Sequence, residues 1–97
     1  MVRAGEVIFH EGDQTDSMYF IVSGEIEINK HGKLISMKGG DFFGEVGVLN
    51  NIPRIADATA KTYSELLLLN SRDIQLFIEF NPQLGERIFD ASVSRRQ

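Results

Sequence analysis

The chain has 97 residues, with ten basic and fourteen acidic side chains, a net charge of −4 and 42% hydrophobic residues. That length sets one domain with one small core. The acidic balance argues against a broad nucleic-acid-binding face, though one local basic pocket is compatible with it. The absence of cysteine removes disulfides and thiolate zinc sites.

No apolar run approaches the ~20 residues of a membrane span. The opening Met1 to Glu6 does not read as a signal peptide, because no apolar stretch follows. Glycine followed by an acid recurs at Gly5-Glu6, Gly12-Asp13, Gly24-Glu25, Gly40-Asp41 and Gly44-Glu45. These pairs are corners: glycine turns the chain and the acid keeps the corner wet. Their irregular spacing is not that of a repeat.

Alternation predicts short strands between the corners. Val7 to His10 is the first. Ser17 to Val22 is apolar and aromatic, which predicts burial on both faces. Glu25 to Asn29 alternates, with Ile26 and Ile28 inward. His31-Gly32-Lys33 is a hairpin turn and Leu34 to Met37 the return strand. Ile55 to Lys61 and Glu65 to Leu69 complete the set. The last third changes period: Ser71 is the expected N-cap of a helix with Ile74, Phe77 and Ile78 on one face. Asn81-Pro82 breaks it, and Pro82 opens a second helix striped by Leu84, Ile88 and Phe89. The expected fold class is mainly β with C-terminal helices, an antiparallel roll packed by those helices.

The segment from Gly40 to Ala56 carries the chemistry. Gly44 and Gly47 let backbone approach a ligand, and a short helix after Gly44 has free amides for an anion. Arg54, after Pro53, supplies a charged fork suited to phosphate. It is expected to face a cavity and to be dispensable for the fold. Glu45 repels a phosphate, so it reads as the acceptor for sugar hydroxyls. The ensemble describes a pocket for a phosphorylated sugar. Taken singly, Glu45 is equally a helix-start acid favoured by the dipole, and Arg54 a surface arginine.

The run Phe43-Gly44-Glu45-Val46-Gly47-Val48-Leu49 with Pro53-Arg54-Ile55-Ala56 resembles the phosphate-binding cassette of cyclic nucleotide-binding domains. Ala4 to Phe9, Glu11-Gly12-Asp13 and Met18 to Ile26 resemble the family's opening strand, turn and central hairpin, so nearly the whole chain is covered. The resemblance implies a single domain over residues 1–97, a module of a larger protein, because the family usually has a helical segment before the barrel. It implies a jelly-roll sheet with a short phosphate-binding helix and a C-terminal lid helix. Gly44, Val46, Gly47, Ile55 and Ala56 become backbone contacts, Glu45 the 2′-hydroxyl acceptor and Arg54 the phosphate partner. Ile35 and Met37 are candidates for the wall against the base, with core packing as the alternative. Arg95 or Arg96 could stack over a purine, and the resemblance to bacterial channel domains favours Arg95; dipole compensation is the alternative. Ile55 departs from the pattern. Many members carry a small or hydroxylated residue there, and a threonine hydroxyl favours guanine.

The implied function is a regulatory module for cAMP, with cGMP as second ligand and no cofactor. It would act through its last helix on a covalently attached effector, such as a cytoplasmic channel domain. A transcription-factor sensor and a degenerate interaction domain are the alternatives. An enzyme is not expected: His10 and His31 stand apart, without metal-ligand spacing. The segment itself is not expected to bind nucleic acid or enter a membrane, and any oligomer would form through the host protein. Lys30, Lys33 and Lys38 read as solvated hairpin charges.

Overall fold

The computed structural model describes residues 1–95; Arg96, a candidate base contact, lies outside the described residues. The elements are β1 (Val7–Phe9), β2 (Ser17–Ser23), β3 (Glu25–Lys30), β4 (Lys33–Lys38), β5 (Phe42–Phe43), α1 (Glu45–Asn50), β6 (Asp57–Ala60), β7 (Glu65–Asn70), α2 (Ser71–Phe80) and α3 (Pro82–Ser94). A four-stranded sheet runs β1-β6-β3-β4 and a three-stranded sheet β5-β2-β7. Every ladder is antiparallel. This is the expected β-roll with C-terminal helices.

Two apolar clusters hold it. The first fills the roll with Phe9, Ile21, Ile26, Met37, Phe43, Ala58 and Ala60. The second seats the helices through Met18, Phe42, Leu69, Ile74 and Ile88. β2 divides them. Tyr19 and Ile21 pack toward the roll, Met18 and Phe20 toward the helices, as a period of two requires. Burial on both faces therefore holds to Ile21 and ends at Val22, which is 53% exposed. β5 is a two-residue strand that alternation does not announce. Its neighbours Phe42 and Phe43 point to opposite clusters. That pins the chain immediately before Gly44 and so aims α1.

Several local expectations change. The strand expected from Ile55 begins at Asp57; Ile55 and Ala56 form a bend before it. Asn70, not Ser71, caps α2, its side chain accepting from the Asp73 amide at 2.9 Å. β7 stays extended through Asn70, so the last strand residue is also the cap. On α3, Phe89 is 64% exposed, and the buried face is Gly85, Ile88 and Ser92. A Cβ at Gly85 would lie 2.7 Å from Ile78 Cγ2, so the α2–α3 crossing needs a small residue there. Leu84 and Ile88 pack inward as expected, while Gly85 and Ser92 on the same face leave no hydrophobic signature.

Candidate functional site

A cavity of about 430 Å³ opens between the β3–β4 hairpin, the β5–α1 corner, the Arg54–Ala56 segment and the end of α3. Every candidate among the described residues lines it: Ile35, Met37, Gly44, Glu45, Val46, Gly47, Arg54, Ile55, Ala56 and Arg95. Its size suits a small organic ligand.

Arg54 is 5% exposed. Its Nη1 donates to the Gly44 carbonyl at 2.9 Å and its Nη2 to the Ser17 carbonyl at 2.7 Å. The guanidinium lies 4.2 Å from the Phe9 ring centroid. Its backbone is clamped to the Gly12-Asp13 corner: the Arg54 amide donates to the Asp13 carbonyl, and the Gly12 amide donates to the Arg54 carbonyl. Arg54 thus faces the cavity as expected and also serves two backbone carbonyls, a structural part not expected from the sequence. Nε is buried and has no hydrogen-bond partner among the described residues. Burial pulls the Arg54 pKa down, opposed by Tyr19, Asp16 and Asp13. Gly44 completes the arrangement. Its φ is +83°, and a Cβ there would lie 2.8 Å from Arg54 Nη1.

Glu45 opens α1 and is 1% exposed. Its Oε1 accepts from Arg95 Nη1 at 3.0 Å, while Oε2 is buried with no hydrogen-bond partner among the described residues. Desolvation pushes the Glu45 carboxyl above its ordinary range; Arg95, its own backbone amide and Arg54 pull it back. Such a group can accept a hydrogen bond from a hydroxyl and repels a second anion. Arg54 and Glu45 thus both line the cavity, and each has one buried polar atom with no hydrogen-bond partner among the described residues.

The remaining candidates divide. Gly47 lines the cavity, but a Cβ there would lie 2.4 Å from Thr15 Oγ1. Its missing side chain thus accommodates Thr15, a role not expected from the sequence. Arg95 turns toward the protein: Nη1 bonds the Phe42 carbonyl at 2.8 Å and Glu45, and the guanidinium lies 5.0 Å from the Phe42 centroid. Its planar head is thus placed on a carboxylate and a protein ring. Asn50 Nδ2 donates to the Ser92 carbonyl at 3.0 Å, tying α1 to α3.

Lys30 and Lys33, expected to be solvated, also line the cavity, and Lys30 Nζ donates to the Arg95 carbonyl at 3.0 Å. Alternation could have found both. Lys33, Ile35 and Met37 share one face of β4, as Ile28 and Lys30 share one face of β3. Phe9, beneath Arg54, had no sequence signal separating it from core. Among the described residues no group of three or more His, Cys, Asp or Glu stands ready for a metal ion. No described helix is long and apolar enough to cross a membrane.

The family profile of the cyclic nucleotide-binding domain matches residues 1–81, and the chain belongs to that family. It is 33% identical over 96 residues to a cyclic nucleotide-gated potassium channel of Rhizobium etli, covering 99% of this chain and 27% of the channel. It is 38% identical over 78 residues to a cAMP-dependent protein kinase regulatory subunit of Yarrowia lipolytica, covering 77% of this chain and 21% of the subunit. The crystal structure of the Thermus thermophilus catabolite activator protein superposes with a TM-score of 0.81 at 29% identity, covering 98% of this chain and 47% of that one. The chain thus spans about a quarter of the channel's length, about a fifth of the regulatory subunit's and just under half of the activator protein's.

Proposed function

We propose that this domain binds one cyclic nucleotide, cAMP in preference to cGMP, without turning it over, and signals through α3 to a covalently attached effector. The observation that carries the reading is that Arg54 and Glu45, both buried, line one cavity, each with a buried atom, Nε and Oε2, that has no hydrogen-bond partner among the described residues. A cyclic phosphate supplies an anionic oxygen for the first, and a ribose hydroxyl a proton for the second. Similarity to a potassium channel over 99% of the chain supports a channel as effector, at the cytoplasmic face of a membrane. Similarity to the catabolite activator protein supports a transcription factor as the second reading. Calorimetric titration with each nucleotide, followed by chromatography of the ligand, tests the proposal. Saturable binding with intact nucleotide is expected; no binding, or hydrolysis, contradicts it.

Glu45→Gln should weaken cAMP binding by about 1–3 kcal/mol, because an amide oxygen accepts without charge assistance. The loss should shrink for 2′-deoxy-cAMP; equal losses for both ligands would remove the sugar-reading role. The wild type should also lose affinity as pH falls. Binding uses the ionised carboxylate, so affinity is full above the pKa of the free protein and declines below it. Because burial raises that pKa, the decline should begin above the ordinary carboxylate range. The glutamine variant should be flat there.

Ile55 lines the cavity and has no hydroxyl to bond a guanine amino group. Ile55→Thr should shift the cGMP-to-cAMP affinity ratio toward cGMP by about 0.5–1.5 kcal/mol, the worth of one neutral hydrogen bond. A strong wild-type preference for cGMP would contradict the assignment.

A further inference from the structure

Glu45 and Arg95 are 50 positions apart in the chain, yet they form a 3.0 Å ion pair in which the glutamate is almost wholly buried. A dry carboxylate stays charged only beside a fixed cation. Arg54 acts on Glu45 through its charge without forming an ion pair with it among the described residues; its Nη1 and Nη2 bond the Gly44 and Ser17 carbonyls. Among the described residues, Arg95 alone forms an ion pair with Glu45.

Arg95 is itself held from several sides. Its guanidinium bonds the Phe42 carbonyl and lies over the Phe42 ring. Its carbonyl accepts from Lys30 Nζ, and its amide bonds the Ala91 carbonyl at the end of α3. It engages only Oε1 and leaves Oε2 dry and unpartnered. The charged groups around the pair are Arg54 from the segment before β6, Lys30 and Lys33 from β3 and β4, and Arg87 of α3, which lies over the same Phe42 ring. Asp13 and Asp16 act on Arg54.

We propose that Arg95 is a positioning residue for Glu45: by taking Oε1 it keeps the carboxylate charged and oriented, presents Oε2 to the ligand's hydroxyl, and so links hydroxyl recognition to the seating of α3. The inference rests on the reading of Glu45 as a hydroxyl acceptor. It differs from a base-stacking role, in which Arg95 would touch the purine and be indifferent to the sugar. It also differs from a competitor role, in which the arginine would have to leave before the hydroxyl arrived. Linkage makes the coupling reciprocal: whatever seats α3 strengthens hydroxyl binding by the same factor as the hydroxyl strengthens seating.

The test is calorimetry with cAMP and 2′-deoxy-cAMP on the wild type, Arg95→Ala, Arg95→Lys, Glu45→Gln and the Glu45→Gln/Arg95→Ala double variant. Arg95→Ala should lower the ribose-to-deoxyribose affinity ratio by about fivefold or more at neutral pH. The ratio should recover as pH is raised, because the carboxylate without Arg95 ionises later. Arg95→Lys should restore much of it, and Arg95→Ala should not change the ratio in the Glu45→Gln background. An equal loss for both nucleotides in Arg95→Ala overturns the inference and leaves a helix clamp or base lid. A gain in cAMP affinity overturns it in favour of competition. If the wild type binds neither nucleotide, the binding reading of the domain falls, and this inference with it.

Discussion

Arg54→Ala should weaken cAMP binding by about two decades or more and also lower the stability of the protein. The binding loss follows from removing one partner of a desolvated charge pair, ~3–5 kcal/mol, at ~1.4 kcal/mol per decade. The stability loss follows from the fold. The Ser17 and Gly44 carbonyls lose their donor, and a buried acceptor left without one costs ~1–3 kcal/mol. Phe9 also loses the cation over its ring. Arg54→Lys separates the contributions. It keeps the charge but not the planar fork, so it should retain part of the phosphate attraction while failing to serve both carbonyls at once. Denaturant unfolding and calorimetry on both variants are the measurements. Unchanged cAMP affinity in a folded Arg54→Ala protein would remove the phosphate assignment.

Gly24→Ala should be the most damaging single methyl added to the roll. Gly24 joins β2 to β3 at φ +98°, and a Cβ there would lie 2.2 Å from Ser64 Oγ and 2.7 Å from Ser64 Cα. Ser64 cannot yield easily. It is fully buried, it exchanges two backbone bonds with Val2, and its hydroxyl donates to the Thr62 carbonyl at 2.9 Å. Positive φ costs a residue with Cβ ~1–2 kcal/mol and overpacking another ~1–3. The sum is a large share of the ~5–15 kcal/mol that holds a typical domain together. Gly32→Ala is the control: its φ is +88° but nothing lies within 4 Å, so only the backbone penalty applies. Urea unfolding of both should show the larger drop at Gly24. Equal drops would mean that the Ser64 contact yields freely.

The sequence was most readable where one physical signal dominated. Alternation marked β3 and β4, and the proline at Pro82 marked the start of α3. β5 escaped because two residues cannot display a period, and Gly85 and Ser92 escaped on α3's inner face because neither carries an apolar side chain. In the site, the spacing from Gly44-Glu45 to Arg54 was legible because those side chains carry the chemistry themselves. What holds them was not. The Gly44, Ser17 and Phe42 carbonyls have no sequence signature. Thr15 was invisible as the neighbour of Gly47 because only the folded chain brings the two together. The Glu45–Arg95 pair was hidden by separation, since both residues were singled out but for different parts of the ligand.

The most direct test of the account is a crystal structure of this chain with cAMP. The nucleotide should lie in the cavity between the β3–β4 hairpin and α1, with a phosphate oxygen on Arg54 Nε and the 2′-hydroxyl on Glu45 Oε2. A nucleotide bound elsewhere, or bound in this cavity with neither atom engaged, would contradict it.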